Sequence, residues 1–143
     1  MIVLDTNVLS ELMRAEPSAT VAAWVANRPA SSLFTTAVTQ AEILYGVALL
    51  PQGGRRAALA RAVVGMFEED FVGRVLPFDA AAARAYADIA AERRRLGQPI
   101  TQFDAQIAAI ARSRGAAVAT RNVADFADCG VSVLDPWDEK GVP

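Results

Sequence analysis

The sequence predicts an α/β domain built on a central, mostly parallel sheet of about four to five strands, flanked by helices on both faces. Two observations carry that reading. Short apolar runs without polar alternation recur at residues 2–4, 33–36, 75–76, 117–120 and 131–134, as expected of strands covered on both sides. Between them lie longer segments with apolar residues at helical spacing. At 143 residues, 53% hydrophobic and 21% charged, the chain is expected to fold as one domain over residues 1–143.

The elements follow in order. Ile2, Val3 and Leu4 open as a buried strand, and residues 7–13 form a short helix that ends near Pro17. Ser18 is a natural N-cap for the next helix, where Val21, Trp24 and Val25 share a face until Pro29 stops it. After the strand at 33–36, Thr39 is expected to cap a helix running through Glu42, Ile43 and Val47 and ending before Pro51. Residues 55–71 form another, with Leu59, Val63 and Phe67 at i, i+4 and i+8. Past the strand at 75–76, Asp79 caps an alanine-rich helix that ends at Gly97. Residues 101–114 are helical and stop at Gly115, placed as a C′ glycine. The strands at 117–120 and 131–134 close the chain.

Composition removes whole classes of chemistry. There is no histidine, so no Ser-His-Asp triad and no usual zinc site. The single cysteine, Cys129, excludes an internal disulfide. The net charge of −2 and pI near 5.1 are far from the basic balance of a typical DNA-binding domain. Lys140 is the only lysine, and the remaining positive charge is arginine, which suits phosphate and base stacking. No apolar run approaches the ~20 residues of a membrane span, and the start lacks the basic region of a signal peptide. A cytoplasmic location is the expectation.

Four acids stand where strand or helix ends would deliver them to one pocket: Asp5, Glu42, Asp104 and Asp125. In parallel α/β sheets ligands bind beyond the carboxyl ends of strands. Asp5 closes the first strand, and Asp125 follows the strand at 117–120 by one turn. Each acid has a structural reading too: Thr39 to Glu42 has capping-box form, as does Thr101 to Asp104, and Asp5 or Asn7 suits an N-cap. Taken together, acids set among apolar neighbours with few nearby basic partners point to a bound cation. Oxygen-only ligation favours Mg²⁺ or Mn²⁺, and hydrolysis of a phosphodiester is the chemistry best supported. Thr6, Asn7, Thr120 and Asn122 are candidate supporting polar groups, with turn formation as their plainer role. Phosphatase chemistry fits less well: Asp5-Thr6-Asn7 lacks the Asp-x-Asp of a haloacid-dehalogenase-like site, and no glycine-rich phosphate loop follows a strand.

The chain resembles the PIN-domain ribonucleases, in the branch of VapC and FitB toxins. The likeness runs nearly end to end. It rests on residues 1–11 around Asp5, on Thr39 through Glu42 to Gly46, on Asp104-Ala105-Gln106-Ile107-Ala108, and on Thr120 through Asn122 and Asp125 to Phe126. Pro77-Phe78-Asp79 and Asp135-Pro136-Trp137 are further marks of the FitB-like branch. The resemblance implies a PIN-like fold and a metal-dependent endoribonuclease acting as the toxin of a type II toxin–antitoxin pair. Asp5, Glu42 and Asp104 would be its catalytic, metal-binding acids. Some relatives place an acid where Asn122 stands, and Asp125 is the expected fourth acid here.

The resemblance further implies a homodimer neutralised by a VapB/FitA-like antitoxin, an RNA substrate, and contact with operator DNA only through the antitoxin. Candidate partner surfaces are the helix faces at Val21–Val25 and Leu59–Phe67, for which core packing is the plainer reading. Arg112, Arg114 and Arg121 are candidate RNA contacts. Arg93-Arg94-Arg95 reads first as a solvated run helped by the helix dipole. A non-catalytic PIN-like module, whose acidic pocket docks a partner's arginine, is the alternative function.

Overall fold

The computed structural model describes residues 1–138, so Lys140 lies outside the described residues. Strands β1 (Ile2–Leu4), β2 (Leu33–Thr36), β3 (Val75–Leu76), β4 (Ala117–Ala119) and β5 (Val133–Leu134) form one sheet in the order β3-β2-β1-β4-β5. Every pairing is parallel, and Ile2 of β1 lies between Leu33 and Ala117. Among the described residues six α-helices cover the sheet: α1 (Thr6–Leu12), α2 (Ala19–Ala26), α3 (Ala37–Ala48), α4 (Gly54–Gly65), α5 (Ala80–Arg95) and α6 (Gln102–Ser113).

Successive side chains on a strand point to opposite faces, and that alternation builds two cores. Val3 and Val118 pack with Ile89 of α5 and with Ile107 and Ile110 of α6. Their neighbours Leu4 and Ala119 turn the other way, toward Val8 and Leu9 of α1, Trp24 of α2 and Ile43 of α3. All of these except Ile43 are at most 2% exposed. Each buried Leu or Ile stabilises the fold by about 1.5–3 kcal/mol.

Several local expectations are corrected. The cap of α3 is Thr36, whose hydroxyl accepts the backbone N–H of Thr39 at 3.0 Å; Thr39 lies inside the helix. Glu42 is therefore no capping-box partner and is available to the pocket. The helix expected at 55–71 breaks after α4 into a π turn, Met66–Asp70, and Met66, Phe67 and Phe71 all reach the core. A π turn adds a residue to the helical repeat and re-aims the side chains after it. β5 is two residues shorter than expected, and Thr120 lies just past β4 although fully buried.

Arg93 is not part of a solvated run. It is 5% exposed, and its guanidinium donates to the carbonyls of Gln98, Asp125 and Ala127. Arg94 and Arg95 do face solvent. The face at Val21–Val25 belongs to the core, as do Val63 and Phe67. Leu59 also borders a groove between α1, α3 and α4.

In a parallel sheet all strands end on one edge. That edge carries Asp5 after β1, Thr36 at the end of β2 and Thr120 after β4, beside the N-termini of α1, α3 and α6. The site is built there.

Candidate active site

Asp5 is the N-cap of α1 and only 4% exposed. One carboxylate oxygen accepts the N–H of Thr6 at 2.8 Å. The other accepts the Thr120 hydroxyl at 2.8 Å and the Asn7 amide at 3.3 Å. Three donors from two elements thus fix its orientation. Thr120 in turn accepts the backbone N–H of Asn122 at 3.1 Å, which ties the loop after β4 to Asp5.

Glu42 sits one turn and a half into α3. Its Oε1 accepts the Thr6 hydroxyl at 3.1 Å, and the same hydroxyl lies 3.1 Å from that of Thr39. Asp104 stands in the first turn of α6, where Thr101 caps the helix by accepting the Asp104 N–H at 3.2 Å.

Asp5, Glu42 and Asp104 line one cavity of about 550 Å³. Thr6, Asn7, Asn122 and Arg121 share its wall, together with Glu11, Arg14 and Trp137. Asp125 is exposed on a 3₁₀ turn, Val123–Phe126, and lines an adjoining small cavity with Asp104 and Arg93. Arg112 and Arg114 do not line the pocket. They lie at the far end of α6, roughly 12–15 Å along its axis from Asp104. There Arg114 pairs with Asp79 at 3.7 Å, and Arg112 packs against Gly130.

The pocket is electrostatically strained. Burial pushes the Asp5 carboxyl above the usual carboxylate range, against its hydrogen bonds to Thr120 and Thr6; Asp104 and Asp125 raise it further. Burial also raises Glu42, assisted by Asp5 and Asp104 and opposed by the Thr6 hydrogen bond. Asp104 is raised by burial and by Asp125, while Thr101 and Arg93 pull it back. A nearby cation reverses each of these penalties.

The donor set suits a hard divalent ion: carboxylates and hydroxyls, with no sulfur or imidazole. Among the described residues no three acids close around a single ion-sized point. Mg²⁺-like ions bind through one or two carboxylates and keep several waters, a mode that does not require three acids to converge.

Four lining residues carried no functional reading in the sequence: Ser10, Glu11, Arg14 and Trp137. Glu11 is buried and accepts Arg14 at 3.2 Å and the N–H of Ser18 at 3.2 Å. Their i, i+3 spacing was the available signal. Trp137 arrives from beyond the last strand and carried no spacing signal at all.

The PIN domain family model matches residues 2–130. VapC ribonuclease Y4jK of Sinorhizobium fredii is 42% identical over 96% of this chain and 99% of its own length. Toxin FitB of Neisseria gonorrhoeae is 37% identical over 97% of this chain and its full length. Among solved structures, FitAB bound to an IR36 DNA fragment superposes with a TM-score of 0.91, at 38% identity and over 96% of each chain.

Proposed function

This chain belongs to the PIN domain family, among its VapC and FitB toxins, and on that premise we propose that it is a divalent-metal-dependent endoribonuclease, the toxin of a type II toxin–antitoxin pair. The observation that carries the proposal is the meeting of Asp5, Glu42 and Asp104 in one pocket where each resists ionisation.

Mg²⁺ or Mn²⁺ would be held through one or two of Asp5, Glu42 and Asp104 and through waters that the remaining acids orient, with Asp125 adding negative charge beside Asp104 and Asn122 a neutral polar group on the wall. Such an ion supplies Lewis-acid stabilisation of phosphate charge and a more acidic water. The protein's own part is positioning. Asp5 is clamped by Thr6, Asn7 and Thr120, and Glu42 is steered by Thr6. Arg121 on the rim offers a guanidinium to a phosphodiester that must otherwise approach four acids.

The antitoxin partner rests on the FitAB likeness and on the groove between α1, α3 and α4, which opens directly into the acid pocket through Thr6, Ser10, Arg14 and Glu42. Met13, Ile43, Val47 and Leu59 give that groove an apolar floor for a VapB/FitA-like segment. Operator DNA is reached through the antitoxin, and the toxin works as a homodimer in the cytoplasm. Among the described residues no helix is long and apolar enough to cross a membrane.

Purified protein should cut RNA when Mg²⁺ or Mn²⁺ is added and stop with EDTA. Asp5→Asn should lower the rate by at least ~100-fold with the circular dichroism spectrum unchanged. The alternative, a pocket that only docks a partner's arginine, is favoured if calorimetry finds no Mn²⁺ binding to the free protein.

A further inference from the structure

We propose that Arg121 and Trp137 form a subsite for one nucleotide of single-stranded RNA, its phosphate on the guanidinium and its unpaired base stacked on the indole. The inference rests on the ribonuclease reading and adds to it where the substrate is gripped.

Both residues line the same pocket as Asp5, Glu42 and Asp104. Their positions are set by backbone contacts rather than by chance side-chain proximity. The Arg121 N–H donates to Asn7 Oδ1 at 3.4 Å, which anchors the residue beside Asp5. The Trp137 N–H donates to Asp135 Oδ1 at 2.9 Å, which fixes the turn that presents the ring.

The two arginines of the pocket differ in a way that matters. Arg14 is neutralised by Glu11 at 3.2 Å. Arg121 makes no ion pair among the described residues, and its guanidinium lies 5.3 Å from the centre of the Trp137 ring. An unpaired, exposed guanidinium beside several carboxylates is suited to hold the phosphate that those acids would repel.

The other arginine–tryptophan pair gives the contrast. Arg28 sits 3.5 Å over the Trp24 ring and also donates to the Trp24 carbonyl, and Trp24 is 2% exposed. That ring is closed off. Trp137 packs against the core but stays partly exposed, and its arginine stands farther out, so this pocket-lining ring is less covered than that of Trp24. Aromatic faces that stack unpaired bases, together with arginine, are the usual means of holding single strands.

The chain has two tryptophans, which makes fluorescence a direct test. Wild-type protein in EDTA is titrated with a single-stranded oligoribonucleotide of about ten nucleotides, a length within the range of known single-strand sites. Emission should fall on binding. The fall should persist in Trp24→Phe and vanish in Trp137→Phe, which should nevertheless keep most of the affinity. Trp137→Ala should bind roughly 5- to 150-fold more weakly, the loss of one stacked base. Arg121→Ala should weaken binding and reduce the slope of log affinity against log salt by about one.

Unchanged emission at saturating RNA, or Trp137→Ala affinity within about twofold of wild type, overturns the subsite. If RNA is still cut under metal in those cases, the ribonuclease reading stands and only the subsite falls. A protein that neither binds nor cuts RNA overturns both.

Discussion

Nη1 of Arg93 donates to the carbonyl oxygen of Asp125 at 3.0 Å, joining a buried guanidinium on α5 to the turn that carries the fourth acid. The same nitrogen reaches the Ala127 carbonyl at 2.7 Å, and Nε reaches that of Gln98 at 2.6 Å. One side chain thus serves three backbone acceptors, of which the Ala127 carbonyl also takes the Cys129 thiol, and among the described residues no carboxylate pairs with it. Arg93→Met should cost roughly 2–5 kcal/mol in urea unfolding, because it removes the charge-assisted hydrogen bonds that a buried guanidinium makes to three partly buried carbonyls. Arg93→Lys should recover only part, since an ammonium lacks the fork. A loss below about 1 kcal/mol for the methionine variant would contradict this account.

The strained acids give a pH prediction for metal-free protein. The folded-state Asp104 carboxyl is raised, first by burial and then by Asp125. Its contribution is present below the unfolded value near 4 and is lost as pH rises through the folded value. Asp104→Asn should therefore be more stable than wild type at pH about 7, with the gain shrinking toward pH about 4. Because Asp104 is partly solvated, the gain should be at most about 1 kcal/mol, or up to roughly 4 °C in Tm. Thermal melts of both proteins across that range in EDTA check the sign. A variant less stable than wild type at neutral pH refutes it.

Thr6 is the hinge of the polar network, since its hydroxyl bonds Glu42 and its N–H bonds Asp5. Thr6→Val keeps the backbone donor and removes the hydroxyl. The RNA-cutting rate should fall about 10- to 100-fold, as when other supports of a metal-binding carboxylate are removed. Mn²⁺ affinity measured by calorimetry should fall with it, whereas unchanged affinity would mean that Glu42 needs no such steering.

The cap of α3 can be assigned by mutation. Thr36→Val deletes the hydroxyl that accepts the Thr39 N–H and should cost about 1–2 kcal/mol of stability. Thr39→Val removes only a hydroxyl contact with Thr6 and should cost less. The reverse order would restore the capping box expected at Thr39.

The strand-end position of Asp5 was legible because a buried strand followed by an N-cap is a local pattern. The same holds for the caps at Ser18, Asp79 and Thr101 and for Gly115, whose φ of 64° suits glycine. Thr36 and Thr39 were not separable, since both can cap and only the path of β2 into α3 chooses between them. Arg93 misled for a similar reason: its neighbours in sequence are solvated arginines, while its neighbours in space are carbonyls.

Alternation of apolar runs with helical segments determined a parallel α/β sheet, and the four acids in their order determined the kind of site to expect. These follow from interactions between residues close in the chain. Only the tertiary structure decided that Asp5, Glu42 and Asp104 share a cavity while Asp125 stands in the next one, that Arg93 is interior, and that Arg121 and Trp137 meet at the rim. Those relationships join residues tens of positions apart, and their distances are set by how helices pack on the sheet rather than by any local preference.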